Sequence, residues 1–210
     1  VGRNRRTTDA FVMWEDRYRQ QDDYLFGTEP AGFLVENPWV ASDCGTALCV
    51  ADGEGRNAVH LARLGLAVTS FDLSQTAVAR ARDLATQHGV TLATSVSDWA
   101  AWDWSRQFDL VVGIFIQFAD PALRVQQFAD MRAATRAGGR IALHGYRPEQ
   151  VALGTGGPPH AANMYTDALL RDAFAGWRID RLASYERDVQ EGRGHSGKSA
   201  LIDLVATKPG

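Results

Sequence analysis

The stretch CVADGEGRNAVHLARLG, residues 49–65, decides how the rest of the chain is read. The apolar run ALCV (47–50) leads into it as a strand, and Gly53 and Gly55 make the turn that follows. Asn57 to Leu64 then sets Ala58, Leu61, Ala62 and Leu64 at helical spacing, with Gly65 as the stop. A G-x-G turn between strand and helix lets the backbone approach a ligand closely and aims the first helical N–H groups at an anion. The next strand, LAVTSFD (66–72), ends in Asp72, 17 residues beyond Gly55, and Ser74 is placed to cap the helix after it. An acid at that strand end accepts hydrogen bonds from a ribose. Turn and acid together read as a site for an adenosine-containing ligand at the carboxyl ends of the central strands. An ordinary tight turn followed by a capping Asp is the plainer alternative.

Outward from this unit the same alternation continues. Thr76 to His88 reads as a helix closed by Gly89, and VTLATSV (90–96) as a strand. FDLVVGIFI (108–116) is the continuous apolar run of a strand buried on both faces. Pro121 to Ala137 is the next helix, with Gly138 and Gly139 after its end, and RIALHGY (140–146) the next strand. A short helix, Asp167 to Phe174, is capped by Thr166. Strands at 177–189 and 200–207 close the chain around the Gly-rich loop EGRGHSGKS (191–199). Repeated strand–helix–strand units predict an open, mostly parallel α/β sheet with helices on both faces. The last two strands lack a helix between them and are expected to pair as an antiparallel edge hairpin. One structural domain results, with residues 1–46 as a cap or lid on 47–210.

Composition narrows the function classes. The 210 residues carry 22 Lys and Arg against 25 Asp and Glu, a net charge of −3. A nucleic-acid binder working through a broad phosphate-contacting face is normally basic, so no nucleic-acid partner is expected. No apolar run reaches the roughly 18 residues of a membrane span. Arg3, Arg5 and Arg6 resemble the start of a signal peptide, but the acidic, aromatic stretch after them contains no apolar segment. Cys44 and Cys49 have no His or Cys neighbours at zinc-ligand spacing, so reduced thiols, a cytoplasmic setting and no metal are expected. Twenty glycines exceed the usual share of about 7%.

The ligand is narrowed by what surrounds the turn. A dinucleotide loop calls for a third glycine where this chain has Ala58. Asp98 and Trp99 follow the third strand, where an acid and an aromatic bracket an adenine, and the fourth strand runs out to polar Gln117. At this point the chain resembles the class I S-adenosylmethionine (SAM)-dependent methyltransferases over nearly its whole length. The likeness is to the branch holding tellurite-resistance and thiopurine-type enzymes. It rests on WEDRY (14–18), YLFGTEP (24–30), ADGEGRNAVHLARLG (51–65), VTSFDLS (68–74), FDLVVGIFIQF (108–118), GTGGPP (154–159), MYT (164–166) and EGRGHSG (191–197).

The resemblance implies a Rossmann-like fold with a seven-stranded sheet whose last strand is antiparallel. It also implies SAM as the methyl donor, with S-adenosylhomocysteine as product. Ala51, Gly53 and Gly55 fall against the methionine portion, Asp72 on the ribose, Asp98 and Trp99 beside adenine, and Ile114 to Gln117 near the methyl group. Asp52, Asn57, Leu73, Ser74 and Phe115 complete that set. The family's loop opens with an acid and a first glycine where this chain has Cys49 and Ala51. The acid's hold on the ligand's ammonium then passes to Asp52 or to a backbone carbonyl.

Methyl transfer from a sulfonium is an in-line displacement, for which a protein aligns the nucleophile, excludes water and faces the cation with aromatic rings. Trp14, Tyr18, Tyr24 and Phe26 lie within thirteen residues and read either as a lid over the ligand or as rings packed on the sheet. A thiol or other chalcogen acceptor needs little base assistance, whereas an oxygen or nitrogen acceptor calls for one. His144, beside Tyr146 at the carboxyl edge, is the candidate base or a structural histidine. His195 sits in the last loop, as a substrate contact or a solvated side chain. Arg124 is the candidate cation for an anionic acceptor, or else a solvated helix charge. The glycines at 154, 156, 157, 192, 194 and 197 are expected to frame the acceptor pocket. A small-molecule methyl acceptor, preferably a chalcogen, is the leading expectation. An O- or N-methyltransferase and a SAM-binding module without turnover are the alternatives.

Overall fold

Strands form where apolar residues run without alternation, because both faces of such a strand are covered by helices. β1 (Thr46–Val50) and β4 (Phe108–Ile114) are buried almost end to end, and they lie side by side at the centre of the sheet. The computed structural model describes residues 13–193 and 195–210; the Arg3–Arg6 run and Gly194 lie outside them. With β2 (Ala67–Asp72), β3 (Leu92–Val96), β5 (Thr135–Tyr146), β6 (Arg178–Glu191) and β7 (His195–Thr207), the strands form one seven-stranded sheet of order β3-β2-β1-β4-β5-β7-β6. The first five are parallel, and β7 inserts antiparallel between β5 and β6. Strand order reverses between β1 and β4, which places a ligand crevice at their carboxyl ends.

Helices α3 (Arg56–Arg63), α4 (Gln75–Gln87) and α5 (Pro121–Ala134) connect the parallel strands. Ser74 caps α4 by accepting from Ala77 N–H at 3.0 Å, and Asp120 caps α5 through Leu123 N–H at 2.9 Å. One sheet face buries Leu48, Phe71, Val111 and Leu143 with Phe128 and Met131 of α5. The other buries Cys49, Leu110 and Ala142 with Leu61 of α3. The amino-terminal segment supplies α1 (13–19), α2 (Gly32–Glu36) and a 3₁₀ turn (Pro38–Ala41), and Phe33 and Leu34 join that second layer. Beyond β5 come α6 (Gln150–Leu153), a 3₁₀ turn (Ala161–Asn163) and α7 (Asp167–Ala173).

Two boundaries depart from the sequence reading. α5 stops at Ala134 rather than Ala137, and Thr135 through Gly139 already belong to β5. Lys208 terminates the helix by donating from Nζ to the carbonyls of Arg132 and Thr135 at 2.8 and 2.7 Å, while its backbone N–H bonds Gly139 O. The expected loop 191–199 is mostly strand, since the β6–β7 ladder runs to Glu191↔His195. His195 is therefore a buried strand residue rather than a loop residue.

Candidate active site

The turn after β1 is held by the acid at the end of β2. Asp72 accepts from Gly53 N–H through Oδ2 and from Ser74 N–H through Oδ1, each at 2.9 Å. Ala51, Gly53 and Gly55 all take left-handed backbone, with φ of +46°, +60° and +87°. A Cβ on Gly53 would sit 2.7 Å from Tyr18 Oη, and one on Gly55 would sit 2.6 Å from Ala81 Cβ in α4. The glycine at 55 is thus required by the packing of α3 on α4. Burial pushes the Asp72 carboxyl up to about 6 against the pull of its backbone donors. Burial likewise pushes Asp52 up to about 7, opposed by the Ala58 N–H and reinforced by the charge of Asp72. Asp52 Oδ2 is shut off from solvent and meets no hydrogen-bond partner among the described residues. Cys49, where the resembling loops carry an acid, is 1% exposed, and burial raises its thiol well above the usual range.

The amino-terminal segment lies over this turn. Tyr18 is buried, with Trp14 at 6.0 Å and Phe26 at 6.3 Å between ring centroids, and the Arg17 guanidinium sits 4.5 Å over Trp14. Glu15 fastens α1 to the start of α4 by accepting from the hydroxyls of Ser74 and Thr76, both at 2.6 Å. Glu54 accepts from Leu25 N–H at 2.8 Å and pairs with Arg80 at 2.6 Å, and Tyr24 donates to Arg80 O. Asn57 Oδ1 accepts from Ala31 N–H at 2.9 Å. Arg56 pairs with Glu191 at 2.7 Å, whose other oxygen accepts from Gly32 N–H at 3.0 Å. Asn57 and Ser74, expected on the ligand, thus hold the cap, while Leu73 lies half-buried between Asp72 and Ser74. Nothing local in the sequence marks Glu15, Glu54, Arg56 and Arg80, or the pairing of Glu191 with Arg56. Their partners lie 26 to 159 positions away, beyond any local pattern.

The carboxyl ends of β4 and β5 carry a second constellation. Phe115 takes a left-handed φ of +55° and donates from its N–H to His144 O at 2.8 Å. His195 lies between the rings of Phe26 and Phe115, at centroid distances of 4.6 and 4.0 Å, with Tyr146 Oη 2.7 Å from its Nδ1. Burial drives His195 down to about 3, aided by the Arg56 charge, so its ring stays neutral. His144 is 2% exposed, lies parallel to Phe33 and has its Nδ1 2.7 Å from Asp203 Oδ1. Asp203 also accepts both Nε and Nη2 of Arg181, at 2.9 and 2.8 Å, and the Tyr185 hydroxyl at 3.0 Å. Burial opposes ionisation of Asp203, but the His144 and Arg181 bonds outweigh it and hold the carboxyl below its usual range. An ionised Asp203 can only accept, so His144 carries its proton on Nδ1 and leaves Nε2 as the basic nitrogen.

Several expected residues are engaged elsewhere. Gln117 spends both amide atoms on the backbone of Tyr146, donating at 2.7 Å and accepting at 2.6 Å, and so ties the end of β4 to β5. Arg124 is 7% exposed rather than a solvated charge, and its Nη1 donates to Ala162 O at 2.7 Å and to Met164 O. Asp98 accepts from Ala101 N–H, and Trp99 donates from Nε1 to Asp130 of α5, both at 2.8 Å. Trp99, Trp102 and Trp104 all ring Phe71 within 5.9 Å. Ile114 is half-buried at the end of β4, in register with His144. Of the late glycines, a Cβ on Gly157 would crowd Tyr146 and one on Gly192 the backbone of Phe26. Both segments converge on the rings around His195. Among the described residues no group of three or more His, Cys, Asp or Glu is placed to hold a metal ion, and no helix is long and apolar enough to cross a membrane.

Residues 47–139 match the family model described as a methyltransferase domain. That span holds the glycine turn, Asp72, Asp98 and the end of β4. No curated protein matches the chain in sequence. Among solved structures, one from a study of the conversion of a disulfide bond into a thioacetal group during echinomycin biosynthesis is 22% identical. It has a TM-score of 0.78, over 95% of this chain and 91% of that one. TehB from Haemophilus influenzae is 18% identical at a TM-score of 0.70, over 93% of this chain and 67% of that one. Magnesium protoporphyrin IX methyltransferase from Synechocystis PCC 6803, solved with bound S-adenosylhomocysteine, is 16% identical at 0.70, over 96% and 99%. At these identities the likeness is one of fold: the seven-stranded sheet is of the Rossmann-like methyltransferase type.

Proposed function

We propose that this chain is a SAM-dependent methyltransferase acting on a small-molecule acceptor. The observation that carries the reading is the methyltransferase-domain match over the residues that build the turn and its acid, Asp72 on Gly53 N–H. The residues present suit the donor: Asp72 ends β2 beside the turn, where the resemblance puts the ribose, and Asp52 Oδ2 meets no partner among the described residues. Bound there, SAM supplies a methyl group activated by its sulfonium. The chain does the rest. The cap formed by residues 13–46, fastened through Glu15, Glu54 and Glu191, excludes water and presents Trp14, Tyr18 and Phe26 to a cation.

For the acceptor, the favoured class is a thiol or other chalcogen, as in the branch the sequence resembles; such a nucleophile is already partly ionised near neutral pH. A second class, an oxygen or nitrogen that arrives protonated, is favoured by the His144–Asp203 pair, whose Nε2 is poised to take that proton. Titration calorimetry with SAM and S-adenosylhomocysteine, followed by turnover on thiols, phenols and amines, tests the reading. Binding followed by methylation of a small molecule is expected. Failure to bind either ligand refutes it, and tight binding without turnover on any class points instead to a SAM-binding module. Between the acceptor classes, His144→Asn should leave a thiol turning over at pH 9 and abolish an oxygen acceptor.

A further inference from the structure

We infer that Tyr146, by fixing which nitrogen of His195 carries the proton, makes that ring a hydrogen-bond donor opposite the base His144, and that the two imidazoles together recognise the hydroxyl of an aromatic acceptor. The inference rests on the methyltransferase reading and narrows its second acceptor class to a phenol.

His195 is enclosed on both faces and one edge. Phe26 of the cap and Phe115 at the end of β4 stack on it at 4.6 and 4.0 Å, with interplanar angles of 22° and 24°. The Tyr146 hydroxyl takes the Nδ1 edge at 2.7 Å. A ligand is left the edge bearing Nε2, which meets no hydrogen-bond partner among the described residues. Tyr146 is 1% exposed, and burial keeps its phenol protonated, well above the ordinary range. That proton needs an acceptor, and His195 Nδ1 is the one it meets among the described residues. Tyr146 therefore donates, Nδ1 accepts, and the ring's own proton sits on Nε2. Burial and the Arg56 charge keep the ring from gaining a second.

His144 is set the opposite way. Asp203, itself bonded by Arg181 and Tyr185, holds the His144 proton on Nδ1 at 2.7 Å, so Nε2 accepts. Both rings lie against Phe115, His144 edge-on at 4.8 Å, and His195 feels a charge on His144. A hydrogen-bond donor and an acceptor sharing one neighbour suit a group that is both. A hydroxyl oxygen gives its proton to His144, accepts from His195 through one lone pair and attacks with another. A neutral amine has a single lone pair, which methyl transfer uses, and a thiol sulfur accepts weakly. Among hydroxyls a phenol, which ionises near 10, yields its proton to an imidazole far more readily than an alkyl alcohol does. Phe26, Phe33 and Phe115 supply apolar faces for its ring. The cations that His195 feels, Arg56 and Arg17, are held on Glu191 and over Trp14, which suits an uncharged acceptor.

The step balances with these residues. The oxygen–carbon bond forms as the sulfonium's sulfur–carbon bond breaks, its electron pair staying on sulfur. The hydroxyl proton passes to His144 Nε2, and the imidazolium so formed rests on Asp203. The Nε2–H of His195 steadies the charge that builds on oxygen meanwhile.

Long-range 15N–1H correlation spectra of the wild-type imidazole rings read the proton positions directly. His195 should be protonated on Nε2 and His144 on Nδ1, with the His195 preference lost in Tyr146→Phe; wild-type His195 protonated on Nδ1 overturns the inference. Turnover on phenol, thiophenol and aniline, with SAM, then compares one ring carrying three acceptor atoms. His195→Phe keeps a ring in the stack without the hydrogen-bond donor, and should lower the phenol-to-thiophenol ratio of kcat/KM about 100-fold. Tyr146→Phe should lower it about 10-fold, through kcat rather than KM. A ratio unmoved in variants that fold by circular dichroism, or wild-type turnover confined to thiophenol or aniline, overturns these roles and leaves the methyltransferase reading standing. SAM binding without turnover on any of the three also overturns them, and no SAM binding removes the methyltransferase reading as well. If neither variant folds, the wild-type spectra and the wild-type acceptor preference still decide.

Discussion

Ala51 shows what a single position in the turn costs. Its φ of +46° is left-handed backbone that a Cβ disfavours by about 1–2 kcal/mol, and the chain has alanine where the resembling loops have glycine. Ala51→Gly should leave unfolding free energy unchanged or raise it by up to ~1 kcal/mol, since glycine's larger unfolded-state entropy offsets part of the relief. A loss beyond ~1 kcal/mol in urea titration would show the Cβ to be packed rather than strained. Asp52 carries a different cost. Its carboxyl titrates near 7 in the fold and near 3.9 in an unfolded chain, so the fold holds the extra proton between those values. Its contribution to stability therefore falls as pH rises through that window. Without ligand, Asp52→Asn should be more stable than wild type at pH 8 and equal to it near pH 4, by urea midpoints at both. The acid at 72 was legible because it ends a strand; the isolation of Asp52 Oδ2 was not, because a missing partner is a property of the whole surroundings.

Elements are held to one another by contacts with no sequence signature. α3 meets α4 so closely that a Cβ on Gly55 would fall 2.6 Å from Ala81 Cβ. Gly55→Ala adds a left-handed penalty to overpacking and should destabilise by about 2–4 kcal/mol, measurable by urea unfolding. α1 and α2 are strapped down at their ends, by Glu15 on α4 and by Glu191 of β6 on Arg56 and Gly32. Glu191→Gln weakens the second strap. Hydrogen exchange should speed up across residues 25–36 and stay unchanged in β4; equal protection in both variants would mean that the ring stack of Phe26 on His195 suffices. The helix α5 was legible from its Pro121 start and apolar face, but its end was set by Lys208, whose chain position carries no hint of Arg132 or Thr135.

Across the molecule, the antiparallel half of the sheet carries its own acid-sensitive groups, Asp203, Glu191 and His195. Asp203 and Glu191 are held below the usual carboxylate range, so their contribution is present above that range and is lost as pH falls through it. His195, held down to about 3, contributes fully above about 6.5 and loses that contribution on the way to 3. His195→Gln should flatten the loss of stability between pH 6.5 and 4 in urea midpoints, and an unchanged slope would place the acid sensitivity in the carboxylates alone. Local patterning determined the parallel core by itself: continuous apolar runs, helical spacing and glycine stops placed β1 to β4, the turn at 51–55 and the acid at 72, since each depends on residues within a turn or two of the chain. Only the tertiary structure decided who meets whom. Inserting β7 between β5 and β6 set Asp203 beside His144, 59 positions away, drew His195 out of an expected loop into the core, and folded Glu191 back onto Arg56 across 135. It also gave Gln117 and Arg124, both expected in the site, bonds to the backbone of other segments. Strand order is fixed by which faces and edges bury best together, a quantity summed over the whole chain and written in no single stretch of it.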